Sequence, residues 1–69
     1  MLEKGQRVRI KRDADVYRDD ELTEPIGTLP KGELATVVAG PFRGRYIIKP
    51  DNTQYDRCWI RSNHFDEVD

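Results

Sequence analysis

Cys58, His64 and Asp66 carry the side-chain types of an activated nucleophile: a thiol to attack, an imidazole to take its proton and a carboxylate to orient the imidazole. Their setting does not build one. The chain holds one cysteine and one histidine, and no serine stands on a glycine-flanked elbow. His64 falls in the polar run Ser62-Asn63-His64, where an imidazole serves as a hydrogen-bonding group. Metal chemistry fares no better. A lone histidine and a lone cysteine lack zinc-ligand spacing, and Asp13, Asp15, Asp19 and Glu24 miss the calcium-loop pattern and its central glycine. No catalytic residue, metal ligand or cofactor is expected, and the chain reads as non-enzymatic.

Binding chemistry is better represented. Tyr17, Phe42, Tyr46, Tyr55, Trp59 and Phe65 are too many aromatic side chains for the core of a 69-residue domain, so some must lie on the surface. Trp59 has the opposite strand parity to Ile60 and shares it with Tyr55. If Ile60 points inward, both aromatics point outward on one face. An outward tryptophan beside a tyrosine is the type of surface that anchors a partner. The same pair can also serve to cover one end of the fold.

Charge is segregated along the chain although it balances to −1 overall. Residues 1–12 carry five basic and one acidic side chain, and residues 13–24 carry six acidic and one basic. That balance removes the global basic field of a non-specific nucleic-acid binder. An acidic block holding Asp19, Asp20 and Glu21 beside basic strands can steer a protein partner with a basic segment, or it can be a solvated face. Arg43, Arg45, Lys49, Arg57 and Arg61 leave room for a local stripe against phosphates.

The elements that must position these groups are strands. Glycine or proline interrupts at 5, 25, 27, 30, 32, 40, 41, 44 and 50, and no apolar pattern of helical period survives between them. Gln6 to Lys11 alternates, with Val8 and Ile10 inward. Residues 12–25 read as a long polar loop anchored by Val16, Tyr17 and Leu22. Strands follow at Ile26 to Leu29, Leu34 to Ala39, Arg45 to Lys49 and Gln54 to Ile60, with turns at Pro30-Lys31-Gly32, Gly40-Pro41 and Pro50-Asp51-Asn52-Thr53. Ser62 to His64 suits one turn of 3₁₀ helix, and Phe65 to Val68 returns beside the first strand. The expected core is Val8, Ile10, Val16, Ile26, Leu29, Ala35, Val37, Ile48, Ile60, Phe65 and Val68. Strands this short leave edges exposed unless the sheet curls, which favours a closed barrel. One domain over residues 1–69 is the expectation. With one cysteine, no disulfide pair and no apolar leader or spanning segment in the sequence, a cytoplasmic setting is expected as well.

Two runs carry a family resemblance. Gly27-Thr-Leu-Pro-Lys-Gly-Glu-Leu-Ala-Thr-Val-Val38 and Trp59-Ile-Arg-Ser-Asn-His-Phe65 resemble the bacterial SH3-like family. The likeness implies an all-β, five-stranded SH3-like barrel with a long acidic first loop and a one-turn 3₁₀ helix before the last strand. It also implies a protein-interaction module or small regulatory subunit whose groove is lined from the loop, the strand before the helix and the helix itself. On that likeness Tyr17 stands near the family's loop tyrosine, Asp20-Glu21-Leu22 echoes its acidic segment, and Ser62-Asn63-His64 stands where eukaryotic members have Ser-Asn-Tyr. Tyr17, Asp19, Asp20, Glu21, Tyr55, Trp59, Asn63 and His64 are then the candidate partner contacts. Arg61 replaces the usual proline, His64 the groove tyrosine, and the tryptophan pair is missing, so polyproline recognition is not implied.

Two further likenesses stand behind it. Lys31 to Arg45, with Gly40-Pro-Phe-Arg-Gly44, is similar to the KOW motif of transcription-elongation factors and some ribosomal proteins, and implies nucleic-acid contacts through Arg43, Arg45 and Arg57. The terminal runs Gly5-Gln-Arg-Val-Arg-Ile10 and Asn63-His-Phe-Asp-Glu-Val68 are similar to the ends of SH3-like accessory subunits of photosynthetic and ferredoxin-linked complexes, which dock on a large partner.

Overall fold

The computed structural model describes residues 2–52, 55 and 57–68. Seven antiparallel strands form one sheet in the order β3-β2-β6-β5-β4-β1-β7. They are β1 (Arg7–Ile10), β2 (Ala14–Tyr17), β3 (Pro25–Leu29), β4 (Leu34–Phe42), β5 (Arg45–Pro50), β6 (Cys58–Arg61) and β7 (Phe65–Glu67), with a 3₁₀ turn at Ser62–His64 before β7. The all-β expectation holds, and β7 pairs with β1 through Ile10 opposite Phe65. The five-stranded count does not hold: the described residues form seven strands, the six segments read from the chain and β2, and among them no hydrogen-bonded pairing of β3 with β7 closes the sheet.

The difference arises in residues 12–25. Ala14 and Val16 are buried while Asp15 between them is exposed, a period of two carried by only two apolar side chains. Polar neighbours on either side hide that alternation from a reading of composition. The segment is a hairpin, with Ala14 opposite Leu29 and Val16 opposite Gly27. Its loop is short, closed by the Arg18 N–H donating to the Glu24 carbonyl at 3.0 Å. The acids of this block hold it together. Asp13 accepts from the Lys31 N–H at 2.8 Å, Asp15 from the Thr28 hydroxyl at 2.9 Å, and Asp19 from the Thr23 and Glu24 N–H groups at 3.0 Å each. Short carboxylates that bond nearby backbone are ordinary turn builders.

Val8, Ile10, Val16, Leu29, Ala35, Val37, Ile48, Ile60 and Phe65 are buried as expected, joined by Ala14, Tyr46 and Cys58. Ile26 is only partly buried against this cluster, and Val68 is half-buried without joining it. Tyr46 enters because it lies opposite Ile60 on the inner face, its ring edge-on to Phe65 at 5.5 Å. Of the expected strand from Gln54 to Ile60, β6 includes Cys58 onward and neither Tyr55 nor Arg57; Thr53, Gln54 and Asp56 lie outside the described residues.

Candidate functional site

The outer face of the sheet is organised by register. Tyr17 of β2 lies opposite Trp59 of β6, Trp59 opposite Ile47 of β5, and Ile47 opposite Ala39 of β4. Directly paired residues share a face, so four apolar side chains form a row across four strands, all half-buried. Phe42, 47% exposed, extends the row by packing its ring 5.5 Å from that of Trp59.

Trp59 separates two shallow depressions. One, of about 440 Å³, is lined by Asp20, Phe42, Arg43, Arg45 and Trp59; the other, of about 310 Å³, by Arg18, Ile47, Arg57 and Trp59. Beyond the first, Asn63 and Arg61 join Arg43 and Arg45 around a further hollow. Arg45 and Arg61 are cross-strand partners. Two like charges directly opposite each other on a ladder are destabilising unless something anionic lies between them. Arg45 donates to the Asp20 carbonyl at 2.6 Å, which pins the tip of the β2–β3 loop to this face. The side chains of Arg18, Arg43, Arg57 and Arg61 make no hydrogen bond or ion pair among the described residues.

Arg43 owes its position to the β4–β5 turn. Phe42 pairs with Arg45, and the two residues between, Arg43 and Gly44, have φ of 55° and 78°. Positive φ at both central positions is the type I′ geometry that suits the twist of a hairpin, and it is usually filled by Asn-Gly. An arginine there lifts a charged side chain to the tip at a conformational cost.

The structure gathers Tyr17, Asp20, Trp59 and Asn63 from the expected partner contacts, with Arg43, Arg45 and Arg57 from the expected phosphate contacts, on one surface. Glu21 is exposed on the adjoining loop. Asp19 faces into that loop, its carboxyl held below the usual range by the Thr23 hydroxyl and then the Glu24 N–H.

Tyr55 and His64 lie elsewhere. Tyr55 packs over β3 with its hydroxyl donating to the Ile26 carbonyl at 3.2 Å. Parity with Trp59 fails to place it because residue 55 precedes the regular strand. The His64 carbonyl accepts from the Lys11 N–H at 3.0 Å, and its imidazole is half-buried with Nδ1 buried and unpartnered. Phe42, Ile47 and Arg18 were missed as site residues. The pairing of Ile47 with Trp59 and the swing of Arg18 beside Arg57 come from register between segments distant in sequence.

Cys58 is buried, its thiol 3.6 Å from the Ile48 carbonyl, and burial pushes its pKa up to about 12. It is therefore not a thiolate at neutral pH. Among the described residues, no group of three histidine, cysteine or carboxylate side chains is placed to hold a metal ion, and no helix is long and apolar enough to cross a membrane. Comparison with protein-family models, curated proteins and solved structures finds no match for this chain.

Proposed function

We propose that the chain is a non-enzymatic, SH3-like interaction module that docks on a larger protein through the outer face centred on Trp59. The SH3-like reading is supported by a β2–β3 hairpin beside the site, a 3₁₀ turn between β6 and β7, and a last strand that returns to β1. The observation that carries the docking role is the row Tyr17–Trp59–Ile47 with the Phe42 ring packed at a tilt on Trp59. Aromatic anchors in a partly desolvated patch with a polar rim are what binding hot spots are made of. Capture from source lysate with the wild type and with Trp59→Ala tests it. A partner retained by the wild type and lost by the folded variant supports the reading; equal capture by both removes the face from the interaction.

Arginines around the same tryptophan favour nucleic acid as a second reading, since phosphates bind arginine and bases stack on exposed rings. Capture that disappears after nuclease treatment, in the same experiment, would promote it.

A further inference from the structure

We propose that the Trp59 face takes an acidic segment of a partner protein, an extended stretch with an apolar side chain seated against the Phe42–Trp59 pair and carboxylates on the arginines to either side. This rests on the docking role above and specifies the partner's chemistry.

Charge complementarity selects the occupant. The chain carries 13 acidic against 12 basic side chains, yet among the described residues Asp20 is the one carboxylate bordering the two depressions, against Arg18, Arg57, Arg43 and Arg45. Along the outer face the side chains read as a basic pair, Arg45 opposite Arg61, then an apolar pair, Ile47 opposite Trp59, then Arg57. An extended peptide has the same period of two, so anion, apolar group and anion fall into step with that pattern. The Arg45–Arg61 pair gains a counter-charge that the described residues do not supply. A planar guanidinium meets a carboxylate through two parallel hydrogen bonds.

A polynucleotide fits less well. Its charge recurs at every step of the backbone, and the loop bearing Asp20 and Glu21 borders the face where a continuous polyanion would run. A peptide places its charges only where the arginines are.

The test is selection from a random peptide library displayed on phage, against the wild type, Trp59→Ala and the double reversal Arg43→Glu with Arg57→Glu. Selected peptides are synthesised and titrated by the fluorescence of Trp59, the only tryptophan, with a mixed-sequence single-stranded oligonucleotide titrated alongside. Thermal melts confirm that each variant is folded. The expected result is enrichment of peptides rich in Asp and Glu around a large apolar residue, with affinity falling about tenfold per reversed arginine and weakening with salt. The double reversal should select basic peptides instead. Basic or uncharged peptides that depend on Trp59 would overturn the acidic partner and leave the docking role standing. No Trp59-dependent enrichment would remove the docking role itself. Oligonucleotide binding lost on mutating Arg43 and Arg57 would overturn the proposal in favour of a polyphosphate ligand.

Discussion

The Tyr55 ring covers Gly27 so closely that a β-carbon on the glycine would meet the phenol oxygen at 1.8 Å and the ring at 2.7 Å. The hydroxyl of the same tyrosine donates to the Ile26 carbonyl, so the ring seals the β3 side of the core. Gly27 is needed here for space, since nothing about its backbone is left-handed.

Gly27→Ala is therefore expected to displace Tyr55 and destabilise the fold by roughly 1–3 kcal/mol, the usual cost of overpacking. Tyr55→Leu should recover part of that loss in the Gly27→Ala background while being destabilising by itself. A double-mutant cycle of melting curves measures the coupling; strictly additive effects would show that the two residues do not touch.

Ile48→Ala should cost roughly 2–5 kcal/mol, as deletion of a fully buried aliphatic does. Trp59→Ala should cost clearly less, because Trp59 stands on the outer face and loses contact mainly with Phe42, Ile47 and Tyr17. Thermal melts of the two variants rank them, and the reverse order would place Trp59 in the core.

Arg43→Asn is expected to stabilise. Asparagine tolerates the left-handed conformation at residue 43 better than arginine, so a gain of roughly 0.5–1 kcal/mol is expected out of the ~1–2 kcal/mol left-handed penalty. Partner affinity should fall in the same variant. A melting temperature that does not rise would mean that the turn relaxes around the arginine.

His64 is held below its ordinary pKa by burial, then by Arg12 and Arg61, with Lys11 adding to them and Asp15 opposing. Protonation would also place an N–H at Nδ1 where no acceptor waits. The unfolded chain thus binds the proton more readily than the folded one. Stability is complete above the ordinary value of 6.5 and falls as pH drops through it toward the lower folded value. His64→Asn should flatten the decline in melting temperature between about pH 7 and pH 5, well above the range in which carboxylates titrate. An unchanged slope would assign the decline to other groups.

Asp19→Ala should loosen the β2–β3 loop, since Asp19 caps both Thr23 and Glu24. Amide exchange should speed at Thr23 and Glu24 while the protection of β4 and β5 is retained. If Asp19 instead served only to attract a basic partner, exchange would not change.

Most of the core was legible from the chain because its inner strands carry β-branched or aliphatic residues at every second position, as at Val8 and Ile10, and an alternation confined to one strand needs no partner to interpret it. The 3₁₀ turn at Ser62–His64 was legible for the same local reason. β2 was not, because Ala14 and Val16 acquire a burial pattern only by pairing with Leu29 and Gly27. Tyr55 was misplaced because parity extends only as far as a continuous strand, and β6 begins at Cys58.

By itself the sequence determined an all-β chain and marked Trp59 as outward, since side-chain alternation is a property of one strand. Which residues join Trp59 was decided by the tertiary structure. Tyr17, Ile47, Phe42 and the arginines come from β2, the β2–β3 loop, β4, the β4–β5 turn, β5 and the approach to β6, and only cross-strand register brings them together. The acidic block shows the same division. Its charge is a fact of composition, whereas the use of Asp13, Asp15 and Asp19 inside the fold depends on which backbone and hydroxyl groups lie within hydrogen-bonding distance.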